Sequence, residues 1–275
     1  MSAAARALPR VSVCTPTGNR PHFLAQALRN VLHQTYPRAL LEWVLVDDST
    51  EEAGRHEARR IAEQGRSEGL TVVLIALLAP EQGSSSNPRI PLGKKRNLTH
   101  AHSSGTILVY MDDDDYYPPT RVAHAVDKLT SARRRDPSIL LAGSSEMHIW
   151  FLAEDAVYRF GPHGPRHATA ATLAFHRDLL LKTGACFRDD ATGQEEPHFL
   201  RDFTLPMVQL DPYQTILAIT HTTNTVDRTP IVQRALAMAD PERTRVVRTS
   251  MKGAKLLKKD RESIAFYARL RHAAR

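Results

Sequence analysis

"PLGKKRNLTHAHSSGTILVYMDDDDYYPP", residues 91–119, decides the reading of this chain. Its apolar run "TILVYM" (106–111) reads as a buried strand, and Asp112, Asp113, Asp114 and Asp115 follow it without interruption. Like charges so close repel unless a cation or an open solvent face relieves them. A helix dipole favours acids at its start, and Pro118 and Pro119 mark such a start. Four acids directly after a buried run are more than capping needs. Clustered carboxylates suit hard divalent ions, Mn2+ or Mg2+, which also bind substrate phosphates. Ahead of the strand, residues 94–104 read as a helix whose start carries Gly93, Lys94, Lys95 and Arg96, a setting that favours an anion. It is not a Walker loop, because Pro88 stands five residues before Gly93 and Lys95 takes the Ser/Thr position.

Working outward, "RVSVCTPTGNR" (10–20) reads as a strand and turn. Asn19 is expected to cap the next helix, with Pro21 in its first turn and Phe23, Leu24, Ala27, Leu28, Val31 and Leu32 at helical spacing. "LEWVLVDDST" (41–50) is a second strand ending in acids, followed by a polar helix over 51–67 and a third strand, "LTVVLIALL". Residues 79–92 read as a Pro/Ser-rich loop. Strand and helix therefore alternate through the first ~115 residues, the pattern of a parallel α/β sheet with right-handed crossovers. Ligands of such sheets sit outside the carboxyl ends of the strands. The polar clusters "TPTGNR", "DDST" and "DDDD" all lie there.

After a helix over 119–135, the short runs "SILLAGSSEMHIWFL", "AVYRF" and "ATAATLAFHRDLLLKTG" are joined by Gly/Pro turns. They predict an antiparallel or mixed extension of the same sheet. "TGQEEPHFL" (192–200) offers Glu195 and Glu196, either of which could deprotonate an incoming hydroxyl. "THTTNT" (220–225) offers His221 as a ligand to a metal or phosphate.

The bulk numbers bound the class. The chain has 275 residues, 42% hydrophobic and 24% charged, the composition of an ordinary globular protein. No apolar run approaches the ~20 residues of a membrane helix, and the first residues lack the apolar core of a secretory signal. Cys14 and Cys186 form no metal-type or redox-type pair, so a cytoplasmic, reducing compartment is expected. The net charge of +7 favours acidic partners, among them phosphorylated small molecules. From Arg243 to Arg275 the only acids are Asp260 and Glu262. This basic stretch reads as a solvated helix, or as one that touches a membrane surface through Leu256, Leu257, Ile264 and Leu270.

Taken in order, "VSVCTPTGNR", "WVLVDDS", the stretch over 91–119 and "ATLAFHRDLLLKTGACFRDDATGQEEPHFL" resemble the inverting, nucleotide-sugar-dependent glycosyltransferases of family 2. The resemblance runs over about residues 9–225. Its most specific part is a Gly-x-x-Arg-Asn helix feeding a strand that ends in Asp-x-Asp. It implies the GT-A fold, an α/β, Rossmann-like architecture with a mostly parallel mixed central sheet flanked by helices. It also implies one domain over 1–235, with a nucleotide-sugar-binding half (9–117) and an acceptor-binding half (118–235), followed by a basic helical extension over 236–275. By the same resemblance Thr15, Pro16, Thr17, Asn19 and Arg20 line the nucleotide pocket, and Asp47 or Asp48 receives the base. Lys95, Arg96 and Asn97 lie beside the nucleotide and diphosphate. Asp112, Asp113 and Asp114 form the Asp-x-Asp, with the metal on Asp114 and Asp112, and with His221 as a late ligand. The catalytic base comes from Glu195-Glu196, which stands where the family has Glu-Asp, and Glu196 is favoured.

The implied partners are a UDP or GDP sugar and a glycan or other hydroxyl acceptor, with Mn2+ or Mg2+ as cofactor and no nucleic acid. Acceptor recognition is expected around "GPHGPRHAT" (161–169) and after Glu196, while Asp115 is expected to orient the "YYPP" turn. Two other classes fit parts of the sequence: a metal-dependent nuclease or nucleotidyltransferase, and a degenerate GT-A module that only binds. A haloacid dehalogenase-type phosphatase fails, since no Asp-x-Asp-x-Thr/Val follows a strand.

Overall fold

Every residue of Val11–Thr17 is buried, which a strand achieves only with both sheet faces covered. The computed structural model describes residues 7–77, 89–193, 195–221, 224, 229–237, 246–249 and 260–273. In it, β1 (Val11–Thr17) pairs in parallel with β2 (Leu41–Asp47) and β4 (Ile107–Tyr110), and β3 (Thr71–Ala76) lies outside β2. The crossovers run through α1 (Pro21–Leu32), α2 (Glu52–Ser67) and α3 (Leu92–His102). Leu24, Leu28 and Val31 of α1 and Ile61 of α2 pack in one apolar core with Val11, Val13 and Trp43 of the sheet. Most of the loop expected over 79–92 lies outside the described residues; α3 already begins at Leu92.

Beyond α4 (Arg121–Arg135) the sheet turns mixed. β8 (Ala174–His176) runs antiparallel to β4, followed outward by β5 (Leu141–Gly143) and β9 (Met207–Gln209), giving the order β3-β2-β1-β4-β8-β5-β9. The expected α/β class and mixed central sheet are therefore observed. The expectation that all later strands extend this sheet is corrected. β6 (Met147–Phe151), β7 (Ala156–Phe160), β10 (Leu217–Thr220) and β11 (Val246–Thr249) form a second, four-stranded sheet in the order β10-β6-β7-β11. The physical cause lies at the end of β5. The Ser144 N–H donates to Thr172 Oγ1 and the Ser145 N–H to Gln209 Oε1, so side chains replace the ladder and the chain leaves the sheet.

Two short helices, α5 (Asp178–Thr183) and α6 (Glu196–Phe199), follow β8. Phe199 of α6 stacks on Phe187 at 4.4 Å between ring centroids, in a core shared with Phe175 and Tyr110. Toward the C-terminus come α7 (Thr229–Ala237) and α8 (Arg261–Ala273). The stretch expected to be a helical extension thus also supplies β11, an edge strand on β7. In α8, Tyr267 is fully buried, and Ile264, Phe266 and Leu270 pack against a cluster of Phe23, Trp150, Leu217 and Ile219. Gln26 Nε2 donates to Ser263 Oγ at 2.7 Å, and Arg29 pairs with Asp260 and Glu262. Of the residues expected to touch a membrane surface, Ile264 and Leu270 are thus partly buried against the protein's own core, while Leu256 and Leu257 lie outside the described residues. No helix among the described residues is long and apolar enough to cross a membrane.

Candidate active site

The four aspartates diverge as soon as β4 ends. Asp112 is fixed by its own N–H, which donates to Tyr117 Oη at 2.7 Å, and its carboxylate meets Arg96 in a bidentate pair at 2.9 and 3.0 Å. Asp113 turns inward and is fully buried, accepting from Thr17 Oγ1 at 2.7 Å and from Arg20 Nη2 at 2.6 Å. Burial pushes its carboxyl up to about 6, against the pull of Arg20. Asp114 faces a cavity of about 310 Å³, with Oδ2 at 2.5 Å from Arg20 Nη1 and 3.1 Å from His221 Nε2. Asp115, expected to orient the following turn, instead accepts from the Ile219 N–H of β10 at 2.9 Å and so joins the two sheets.

The neighbouring strand ends supply the rest. Arg96, buried on α3, donates from Nε to Glu195 Oε1 at 2.9 Å while holding Asp112, and its guanidinium lies 4.7 Å from the Tyr110 ring centroid. One cation therefore joins the aspartate run to the glutamate pair. Lys95 donates to Thr17 O and to Asp48 Oδ1, and burial lowers its pKa although Asp48 opposes the shift. Asp48 also accepts from the Ile90 N–H at 2.9 Å. A Cβ on Gly18 would fall 1.8 Å from Asp48 Oδ1, so only glycine lets that carboxylate approach. Asp47 accepts from the N–H and Oγ of Ser49, and burial raises its carboxyl.

Glu196 opens α6, accepts from the Ala170 N–H at 3.0 Å and lines the same cavity as Asp112, Asp114, Arg20, Arg96 and Glu195. Burial, then the adjacent Glu195, raises its pKa. The two glutamates are thus differentiated: Glu195 is buried against a cation, whereas Glu196, partly exposed to the cavity, is held by a backbone N–H and takes up a proton more easily than an ordinary glutamate.

Not every residue singled out in the sequence reaches this cavity. Pro16, Arg20, Arg96, Asp112, Asp114, Glu195 and Glu196 line it. Thr15 lies inside the sheet, donating to Met111 O and accepting from Trp43 Nε1, and Thr17 and Asp113 act from beneath through Arg20. Asn97 points away, its amide clamping Phe187 and Asp189. Asn19 does not cap α1. Its Oδ1 accepts from the N–H groups of Thr50 and Glu51, because its positive φ of 52° aims the side chain at the start of α2. Asp47, Asp48 and Lys95 form their own cluster at the end of β2. His163 and Thr169, from the stretch expected to recognise an acceptor, do line the cavity, together with Met147, Ile149 and Phe160 of the second sheet.

Asn224, which sequence reasoning passed over, lies at the cavity and accepts from the His221 N–H. Its place three residues after His221 was the available signal.

Gly93 positions the loop that leads to the glutamates. Its N–H donates to Ala191 O, and a Cβ there would lie 2.0 Å from Arg188 O, a backbone atom that cannot swing aside. Gly93→Ala is expected to displace the loop and lower turnover by on the order of ten- to a hundredfold, the scale of a small misplacement of reacting groups. Steady-state turnover measured beside a melting curve checks this. Unchanged turnover would show that the loop does not set Glu195 and Glu196.

Comparison with solved structures bears on the fold. A mannosyltransferase from Pyrobaculum calidifontis, PcManGT, solved with GDP-Man and Mn2+, superposes with a TM-score of 0.58 at 19% identity, over 98% of this chain and 74% of its own. The fold is that of the nucleotide-sugar glycosyltransferases. S. aureus TarS solved with UDP-GlcNAc superposes at 0.55 and 17% identity, over 86% of this chain and 69% of its own. Against a longer TarS chain the TM-score is 0.54, and this protein spans 41% of that chain. No protein-family model and no curated protein matches the sequence.

Proposed function

We propose that the protein transfers a sugar from a nucleoside-diphosphate sugar, UDP- or GDP-linked, to a hydroxyl of a glycan or other acceptor, with inversion at the anomeric carbon. The observation that carries the reading is one cavity that holds both the Asp114 carboxylate, with His221 against it, and the partly buried Glu196.

Asp114 and His221 fit a divalent ion, Mn2+ or Mg2+. Adjacent ligands on an octahedral ion with bonds of ~2.0–2.1 Å stand roughly 3 Å apart, and the Oδ2 to Nε2 separation is 3.1 Å. Among the described residues no group of three His, Cys, Asp or Glu side chains is placed to hold an ion, so substrate phosphates and water would have to complete its coordination. When bound, such an ion neutralises charge building on the leaving diphosphate.

The chain's own residues do the remainder. Arg20 and Arg96 supply positive charge at the carboxyl ends of the strands, where a diphosphate would lie. Asp112, held rigid by Arg96 and Tyr117, presents a carboxylate to the nucleotide side. The polar cluster of Asp47, Asp48 and Lys95 at the end of β2 is the place for the base. Glu196 takes the acceptor's proton as its hydroxyl attacks. With Glu195 committed to Arg96, Glu196 is the glutamate of the pair left to serve as base for one displacement with inversion. Met147, Ile149, Phe160 and His163 offer the acceptor side.

The test is release of nucleoside diphosphate from UDP- and GDP-sugars with Mn2+, with Mg2+ and with chelator, for wild type and Asp114→Ala. The expected result is ion-dependent release, lost in the variant. Ligand stabilisation of the fold by UDP or GDP without any turnover would instead favour a module that only binds.

A further inference from the structure

Arg20 follows the "TPTGN" turn, directly ahead of α1, and its guanidinium straddles two carboxylates that are not equivalent. Asp113 has no exposed surface, and its second oxygen is taken by Thr17 Oγ1. Asp114 faces the cavity, and the oxygen that contacts Arg20 is the same Oδ2 that lies 3.1 Å from His221 Nε2. The oxygen an ion would share with His221 therefore already holds a guanidinium proton. A guanidinium and a divalent ion crowded onto one oxygen repel each other, so one excludes the other. Guanidinium groups also bind phosphate in a bidentate fork, and Arg20 lines the cavity from which a diphosphate would approach.

We propose that Arg20 is an exchangeable counter-ion for Asp114. Without donor it neutralises Asp114 and keeps the divalent ion out. An arriving diphosphate draws the guanidinium off Asp114 while buried Asp113 retains it as a pivot, and Asp114 Oδ2 passes to the ion. The proposal rests on the reading of this cavity as an ion-assisted donor site. Its consequence is that ion and nucleoside diphosphate load together, each tightening the other by the same factor.

The experiment is Mn2+ binding by the full chain, followed by the electron paramagnetic resonance of the free ion, with and without UDP or GDP and corrected for ion held by nucleotide alone. For wild type, weak binding of Mn2+ by itself and roughly tenfold or greater tightening with diphosphate are expected. Arg20→Met is expected to bind Mn2+ alone roughly tenfold or more tightly than wild type, and to lose most of the tightening. Since Arg20→Met leaves buried Asp113 without its cation, Arg20→Met/Asp113→Asn is measured beside it, with melting curves for all chains. Equal Mn2+ affinity in wild type and both variants overturns the exchange. Asp114→Asn separates the two levels. Should it leave Mn2+ binding in the presence of diphosphate unchanged, the ion site itself is wrong. Should it abolish that binding while the Arg20 variants match wild type, only the exchange is wrong.

Discussion

Replacing Glu196 with Gln is expected to slow transfer by roughly two to four orders of magnitude, the usual worth of a positioned general base. The amide keeps the shape of the side chain and can still accept from the Ala170 N–H, so folding and donor affinity should be little altered. The pH profile provides a second readout. Only the deprotonated carboxylate takes a proton, and burial raises the Glu196 pKa above the ordinary 4.5. Wild-type turnover should therefore fall as pH drops through that raised value, at a higher pH than an ordinary glutamate would give. The residual rate of the variant should lack this acidic limb. Glu195→Gln serves as the comparison: it disturbs Arg96 and removes a charge that helps raise the Glu196 pKa, so the limb should persist but move to lower pH. Full turnover in Glu196→Gln, with an intact melting transition, would remove Glu196 from the chemistry.

Arg96→Met should cost more stability than any other change in the site. Arg96 is 3% exposed and serves Asp112, 19% exposed, and Glu195, 5% exposed. Removing the cation leaves two carboxylates facing the same desolvated space, and breaking a buried pair in this way costs roughly 3–5 kcal/mol. For a chain of this size that lowers the melting temperature by about 10 °C. Activity should fall with it, since the same guanidinium fixes Glu195 beside Glu196 and holds Asp112 at the end of β4. Arg96→Lys keeps the charge but cannot span both partners, so it should recover only part of the loss. A melting temperature within a degree or two of wild type for Arg96→Met would mean that this bridge carries little of the fold.

The first half of the architecture was legible because β1 and β2 are buried on both faces and read as unbroken apolar runs. The second sheet was not. β5 is only three residues long, and its departure is decided by Thr172 and Gln209, which meet it from 28 and 64 residues further on. Spacing in a sequence cannot show such meetings. The site divides in the same way. The carboxylates and glutamates could be found as clusters, but the direction of each side chain could not. The repulsion among the aspartates pointed to a cation from outside. In the folded chain two arginines already answer it, Arg20 across Asp113 and Asp114, and Arg96 across Asp112 and Glu195. Asn97 and Asn19, which look like ligand contacts in the sequence, serve as clamps between loops.

The burial of α8 against α1 has a consequence for the candidate site. Phe266 of α8 meets the edge of the Phe23 ring at 6.2 Å, and Phe23 lies 4.5 Å from the ring of His221. His221 in turn faces Asp114. A short relay of three rings thus ties α8 to the carboxylate proposed to hold the ion. Helix α8 is thus a buttress for the candidate site, and a truncation that removed it would withdraw support from the Phe23 and His221 rings.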